Sequence, residues 1–96
     1  MASDANEADA ARIEENRLYW RSRRGLLELD LVLPGFVRQC YARMQPEQQA
    51  CYRRLLDCED QDILSWIQGL SRPQDAELAT LIDLIRDHHH GSAADR

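Results

Sequence analysis

The chain has 96 residues, 44% of them apolar and 30% charged, with a formal net charge of -5. That is chain enough for one modest core, too little for a second, and too apolar for a disordered polymer. The acidic balance argues against wholesale nucleic-acid binding, and no apolar run approaches the ~20 residues that a membrane-spanning helix needs.

Residues 1–6 are expected to fray as a disordered extension, with Ser3, Asp4 and Asn6 able to cap the first helix. From Glu7 to Arg24 there is no proline or glycine, and alanine, glutamate and arginine dominate, which predicts a helix. Glu14 and Arg17 stand three apart and are placed for an exposed pair. Leu18, Tyr19 and Trp20 are adjacent and cannot all face inward, so at least one aromatic belongs at the surface. Gly25 then ends the helix.

Two patterns compete in the next stretch. Leu27, Leu29, Leu31 and Leu33 alternate with Glu28, Asp30 and Val32, as in a half-buried strand. Leu29, Val32, Leu33, Phe36, Val37 and Cys40 form a helical stripe that runs beyond the alternation. Leucine favours helix and no partner strand is on offer, so a helix is expected, broken or kinked near Leu33-Pro34-Gly35.

Pro46 fits the first turn of a third helix, whose apolar face is Cys51, Leu55 and Cys58 with Tyr52 and Leu56 beside them. The acidic run Asp57-Cys58-Glu59-Asp60 ends that helix and offers N-caps for a fourth, with stripe Ile63, Trp66, Ile67 and Leu70 and a stop at Gly69. After a Ser71-Arg72-Pro73 linker, Asp75 caps a fifth helix with stripe Leu78, Leu81, Ile82 and Ile85. The fold class is therefore all-α, a compact bundle of about five short helices: one domain over 7–88, then a flexible tail over 89–96.

Cys40, Cys51 and Cys58 form no CxxC pair and leave one over from any disulfide scheme, as in a reducing compartment. The acidic N-terminus resembles neither a signal peptide nor a transit peptide, so a cytoplasmic location is expected. His88-His89-His90 invites a metal reading. Consecutive helical residues point about 100° apart, however, so a helix end favoured by the dipole accounts for the run better. No cysteine has a histidine near it in sequence, and no phosphate loop, GxSxG or dinucleotide-binding glycine pattern occurs. No catalytic group, metal site or cofactor site is assigned, and the chain is not expected to be an enzyme.

What stands out is Arg24-Gly25-Leu26-Leu27-Glu28. Each residue has a structural reading: Arg24 complements a helix C-terminus, Gly25 permits a left-handed turn, and Glu28 closes a capping box if Gly25 is the next N-cap. One turn does not need Arg17, Arg21, Arg23 and Asp30 as well. Dense arginine beside acids and an exposed aromatic is the make-up of a protein-binding surface. All twelve basic residues are arginine, whose planar fork suits carboxylates, although a genome biased to arginine codons gives the same composition.

The run from Arg17 to Asp30 resembles the SdhE family of bacterial succinate dehydrogenase flavinylation and assembly factors, whose RGxxE signature is matched by Arg24, Gly25 and Glu28. The run Tyr52 to Trp66 is similar to the family's second block, and the similarity extends in register from about residue 16 to 87. RGxxE alone is a weak signal; the two blocks at this spacing are a strong one. The resemblance implies a five-helix bundle that binds the flavoprotein subunit of succinate dehydrogenase or fumarate reductase. It also implies that the bundle promotes covalent attachment of FAD to a histidine of that subunit. The partner-binding residues it implies are Arg24, Gly25 and Glu28, with Arg17, Arg21 and Asp30 around them. The factor is expected to be a monomer with no cofactor of its own. Two other readings compete: an antitoxin-like regulatory module, since some relatives have carried a CptB-type label, and an arginine patch for nucleic acid, which the net acidity disfavours.

Overall fold

The computed structural model describes residues 2–94, with side chains described over 8–91. All regular structure among them is helical: α1 (Ala2–Arg21), α2 (Leu27–Asp30), α3 (Leu33–Cys40), α4 (Pro46–Leu56), α5 (Asp60–Ile67) and α6 (Ala76–Ala94), with a 3₁₀ turn at Tyr41–Arg43 after α3. α2 is a single turn, so the all-α bundle consists of the other five helices.

The boundaries depart from the sequence reading in ways that have local causes. α1 begins at Ala2 rather than Glu7, in a run free of proline and glycine, and α6 continues past His89 to Ala94. The side chains of 1–7 and 92–96 lie outside the described residues, as do the backbones of residues 1, 95 and 96, which belong to the expected extension and tail. α1 stops at Arg21, not Arg24, because Ser22 turns its hydroxyl onto the Leu18 carbonyl (2.6 Å) and Arg23 N–H tightens onto the Trp20 carbonyl (3.1 Å). The second segment breaks at Leu31-Val32, ahead of the expected Leu33-Pro34-Gly35. Pro34 then lies in the first turn of α3, where its missing N–H costs no helical bond.

Elsewhere the anticipated punctuation is present. Pro46 opens α4. Asp75 Oδ1 accepts from the backbone N–H of Glu77 (2.8 Å) and Leu78 (3.1 Å), capping α6. Those two bonds, led by Leu78, together with Arg54 nearby, hold the Asp75 carboxyl below its usual range. Past α5, Gly69 takes a positive φ of 78°, and Leu70 N–H reaches the Ser65 carbonyl while Gly69 N–H reaches that of Trp66. This is a Schellman closure, and it turns Leu70 out to 77% exposure, so Leu70 does not extend the Ile63 stripe. Nor does the acidic run cap α5 as expected: Glu59 sits at the N-cap with no side-chain bond, and Asp60 is drawn to Arg24.

α1 lies on α3, α4 on α6, α3 and α5 also on α6, and α2 on α5. The shared core takes Leu18, Leu29, Leu33, Val37, Tyr52, Leu55, Ile63, Leu81, Ile82 and Ile85, all nearly or fully buried. Tyr52 is central, stacked on Phe36 with ring centroids 5.9 Å apart. Cys51 is buried in the same core, as the apolar face of α4 requires.

Candidate partner-binding surface

The corner between α1 and α2 is held by a polar cluster whose centre is buried. Ser22, fully buried, shares a hydrogen bond of 2.6 Å with the Tyr52 hydroxyl. Arg24 folds inward: its Nε donates to Asp60 Oδ1 at 2.6 Å, one Nη to the Cys58 carbonyl and the other to the Arg21 carbonyl, both at 3.2 Å. Its backbone N–H donates to Asp30 Oδ1 at 2.7 Å. Arg21 pairs with exposed Asp57 at 2.9 Å. Three of the residues assigned to partner binding, Arg24, Arg21 and Asp30, thus hold the turn to α4–α5 or to itself.

This corrects the capping expectation. The N-cap of α2 is Leu26, not Gly25, and Glu28 does not close a capping box. The acid that satisfies a turn N–H is Asp30, two residues later, and Glu28 accepts from Gln68 Nε2 instead. Sequence spacing favoured Glu28 because the box rule counts from the N-cap, and the N-cap is displaced by one residue.

The other side of the corner faces solvent. Gly25 has φ +83°, and a Cβ built on it meets no heavy atom within 4 Å. Trp20 is 63% exposed, bearing out the expected surface aromatic, and lies edge-on to Tyr19. Arg23 reaches over the Trp20 ring, 5.8 Å from its centroid. Leu27, which opens α2, and Leu31, its C-cap, are 73% and 65% exposed beside Glu28. Arg17 is exposed and has no ion-pair partner among the described residues, and the expected Glu14–Arg17 pair does not form. Glu14 instead accepts from the Tyr41 hydroxyl and from Arg53 (3.2 Å), both brought to it by the fold.

Of the remaining candidates, His88 and the cysteines are packing residues, while His89 and His90 are exposed. His88 Nε2 bonds Gln39 Oε1 at 2.7 Å and its ring meets the Phe36 ring, which fixes α6 on α3. His89 and His90 stand with ring centroids 5.8 Å apart, and no group of three or more potential ligands converges among the described residues. Burial pushes the Cys51 and Cys58 thiols up, away from the nucleophilic thiolate. Burial, with the adjacent Glu14 carboxylate, pushes Tyr41 up to about 12. Sequence reasoning missed the Ser22–Tyr52 bond; one small hydroxyl inside a run of arginines was its only sign.

Residues 16–89 match the family described as "Flavinator of succinate dehydrogenase". The chain is 48% identical over 75 residues to the FAD assembly factor SdhE of Pseudomonas savastanoi pv. phaseolicola, covering 78% of this chain and 89% of that one. The protein of the same name from Pseudomonas aeruginosa is 47% identical over 74 residues (77% and 88% covered), and that from Idiomarina loihiensis 41% over 76 (79% and 84%). The chain belongs to this family.

Proposed function

We propose that this member of the flavinator family binds the flavoprotein subunit of succinate dehydrogenase, or of fumarate reductase, and promotes covalent attachment of FAD to a histidine there. It acts in the cytoplasm as a monomeric, chaperone-like assembly factor with no cofactor of its own. The attachment chemistry belongs to the partner and its flavin. This chain's part is to favour the arrangement of the flavoprotein in which histidine and flavin meet, which requires a higher affinity for that arrangement than for others. No helix among the described residues is long and apolar enough to cross a membrane, in keeping with such a role.

The observation that carries this reading is the outward face of the corner. Gly25 leaves open space where a side chain would stand, and Trp20, Leu27 and Leu31 remain exposed around it. A fold has no use for three large apolar side chains in water at one corner, whereas an interface core does. Arg24, Arg21 and Asp30 serve the same surface from inside by fixing the turn, and Glu28 and Arg17 stand at its rim.

The test is covalent flavin on the succinate dehydrogenase flavoprotein subunit, read by in-gel fluorescence in cells with and without this gene. A drop without the gene, restored by wild type and not by Gly25→Arg, is expected. The left-handed φ penalises any side chain, so Gly25→Asn is the control: it keeps the turn with little protrusion and should restore most of the signal. A folded Gly25→Arg protein that restores flavinylation fully would sink the assignment of this surface. Glu28→Ala should weaken binding with little change in melting temperature, since its carboxylate caps nothing and its one bond, from Gln68, is exposed.

A further inference from the structure

Behind the corner, α2, α5 and α6 enclose a groove of about 210 Å³. Two walls are apolar, Leu31 and Val32 just past α2 and Leu64 and Ile67 from α5, and Glu28 and Gln68 close one rim. The third wall is basic: Arg86, His89 and His90, spaced so that they share one face of α6. The Nε of Arg86 is buried with no hydrogen-bond partner among the described residues. Of the acids next to it on α6, Asp83 feels the charge of Arg86 but spends its hydrogen bonds on Arg72, at 3.0 and 3.2 Å, and Asp87 makes no ion pair with Arg86 among the described residues. Gly69 makes room for the guanidinium: a Cβ there would lie 3.0 Å from an Arg86 Nη.

The Nε is sealed from solvent, so a partner meets the guanidinium at its Nη atoms, which make no hydrogen bond among the described residues; a cation so placed in a groove open to a partner is half of a pair. Resting on the flavoprotein-binding role proposed for this chain, we infer that this groove receives an acidic side chain of the flavoprotein. Its carboxylate pairs with Arg86, and its stem lies against Leu31, Leu64 and Ile67. The charge pattern selects that occupant. A guanidinium fork matches one carboxylate, and Glu28 at the rim with the net charge of -5 opposes a multiply charged phosphate more strongly than a single carboxylate. The groove shares Leu31 and Glu28 with the outward corner, so one partner can cover both surfaces.

The experiment is calorimetric titration of the purified, flavin-free succinate dehydrogenase flavoprotein subunit with the full chain and its variants. Arg86→Met keeps the stem and removes the fork; it should bind about tenfold more weakly or worse, as for truncation of one member of a desolvated charge pair. Leu31→Asp guards against a folding defect, because Leu31 is 65% exposed. It sets a carboxylate in the groove, which should occupy Arg86 and repel the partner's acid, so Leu31→Asp should bind more weakly than Leu31→Asn. Wild-type affinity in Arg86→Met, or equal affinities for the Asp and Asn variants, would overturn the inference and leave the proposed function standing. No binding by wild type would overturn both. Loss of a concentration-dependent self-association in Arg86→Met, with flavoprotein binding intact, would assign the groove to a second copy of this chain and overturn the inference as well.

Discussion

Two polar clusters tie α1 to the rest of the bundle. At its C-terminal end, Ser22, Arg24, Asp30, Tyr52 and Asp60 form a set in which Ser22 and Tyr52 are fully buried and the Arg24 side chain is 17% exposed. Midway along, Glu14 meets Tyr41 and Arg53, with both members of the Arg53–Glu14 pair close to half exposed. Both sets combine arginine, tyrosine and carboxylate; their exposure to solvent differs. In the first cluster a lost partner leaves a buried donor or acceptor with nothing to bond. In the second, water substitutes at Glu14 and Arg53, although the Tyr41 ring between them is buried. The first can therefore dictate where the turn bearing Gly25 stands, and the second can only add modestly to helix packing.

Breaking the contrast starts with Arg24→Ala. It removes three side-chain hydrogen bonds, two of them part-buried, while Asp60, 36% exposed, is taken up by water, so it should cost about 1–2 kcal/mol in urea denaturation. Ser22→Ala should cost about 1–2 kcal/mol by leaving the Tyr52 hydroxyl unsatisfied, and adding Tyr52→Phe should recover part of that loss. Gly25→Ala should cost about 1 kcal/mol, all of it backbone strain since the space is open. Glu14→Gln, in the exposed cluster, should cost under about 1 kcal/mol. Equal costs for Arg24→Ala and Glu14→Gln would abolish the distinction between the clusters.

Alkaline titration sharpens the same comparison. The folded-state pKa of Tyr41 is raised to about 12 from 10.0, so the unfolded chain ionises first. The stability this contributes is complete below pH 10 and is lost as pH rises from there through about 12. Tyr52 is also pushed up, by its burial, so tyrosinate absorbance should show both ionising above the ordinary tyrosine range. Glu14→Gln should lower the Tyr41 value only part of the way, because burial is the larger cause.

What could be read from the sequence was what neighbours in sequence decide. The Leu78-Leu81-Ile82-Ile85 stripe, the Asp75 cap, Pro46 at a helix start and the turns at Gly25 and Gly69 all depend on residues within a few positions of one another. The misassigned residues have partners far along the chain: Arg24 with Asp60, Glu14 with Tyr41 and Arg53, and Glu28 with Gln68. A charge can be located by pattern, but its partner is set by how helices pack. For that reason the RGxxE run could be marked as special while the inward role of its arginine could not.

The solvated position of Trp20 has a spectroscopic consequence. The chain has two tryptophans, and Trp66 is partly shielded against the core while Trp20 is 63% exposed at the corner. Trp20 should emit as a wet indole, and a protein seated on the corner should shift that emission to the blue while leaving Trp66 nearly unchanged. The surface thus carries its own unlabelled reporter, and Trp66→Phe would isolate it.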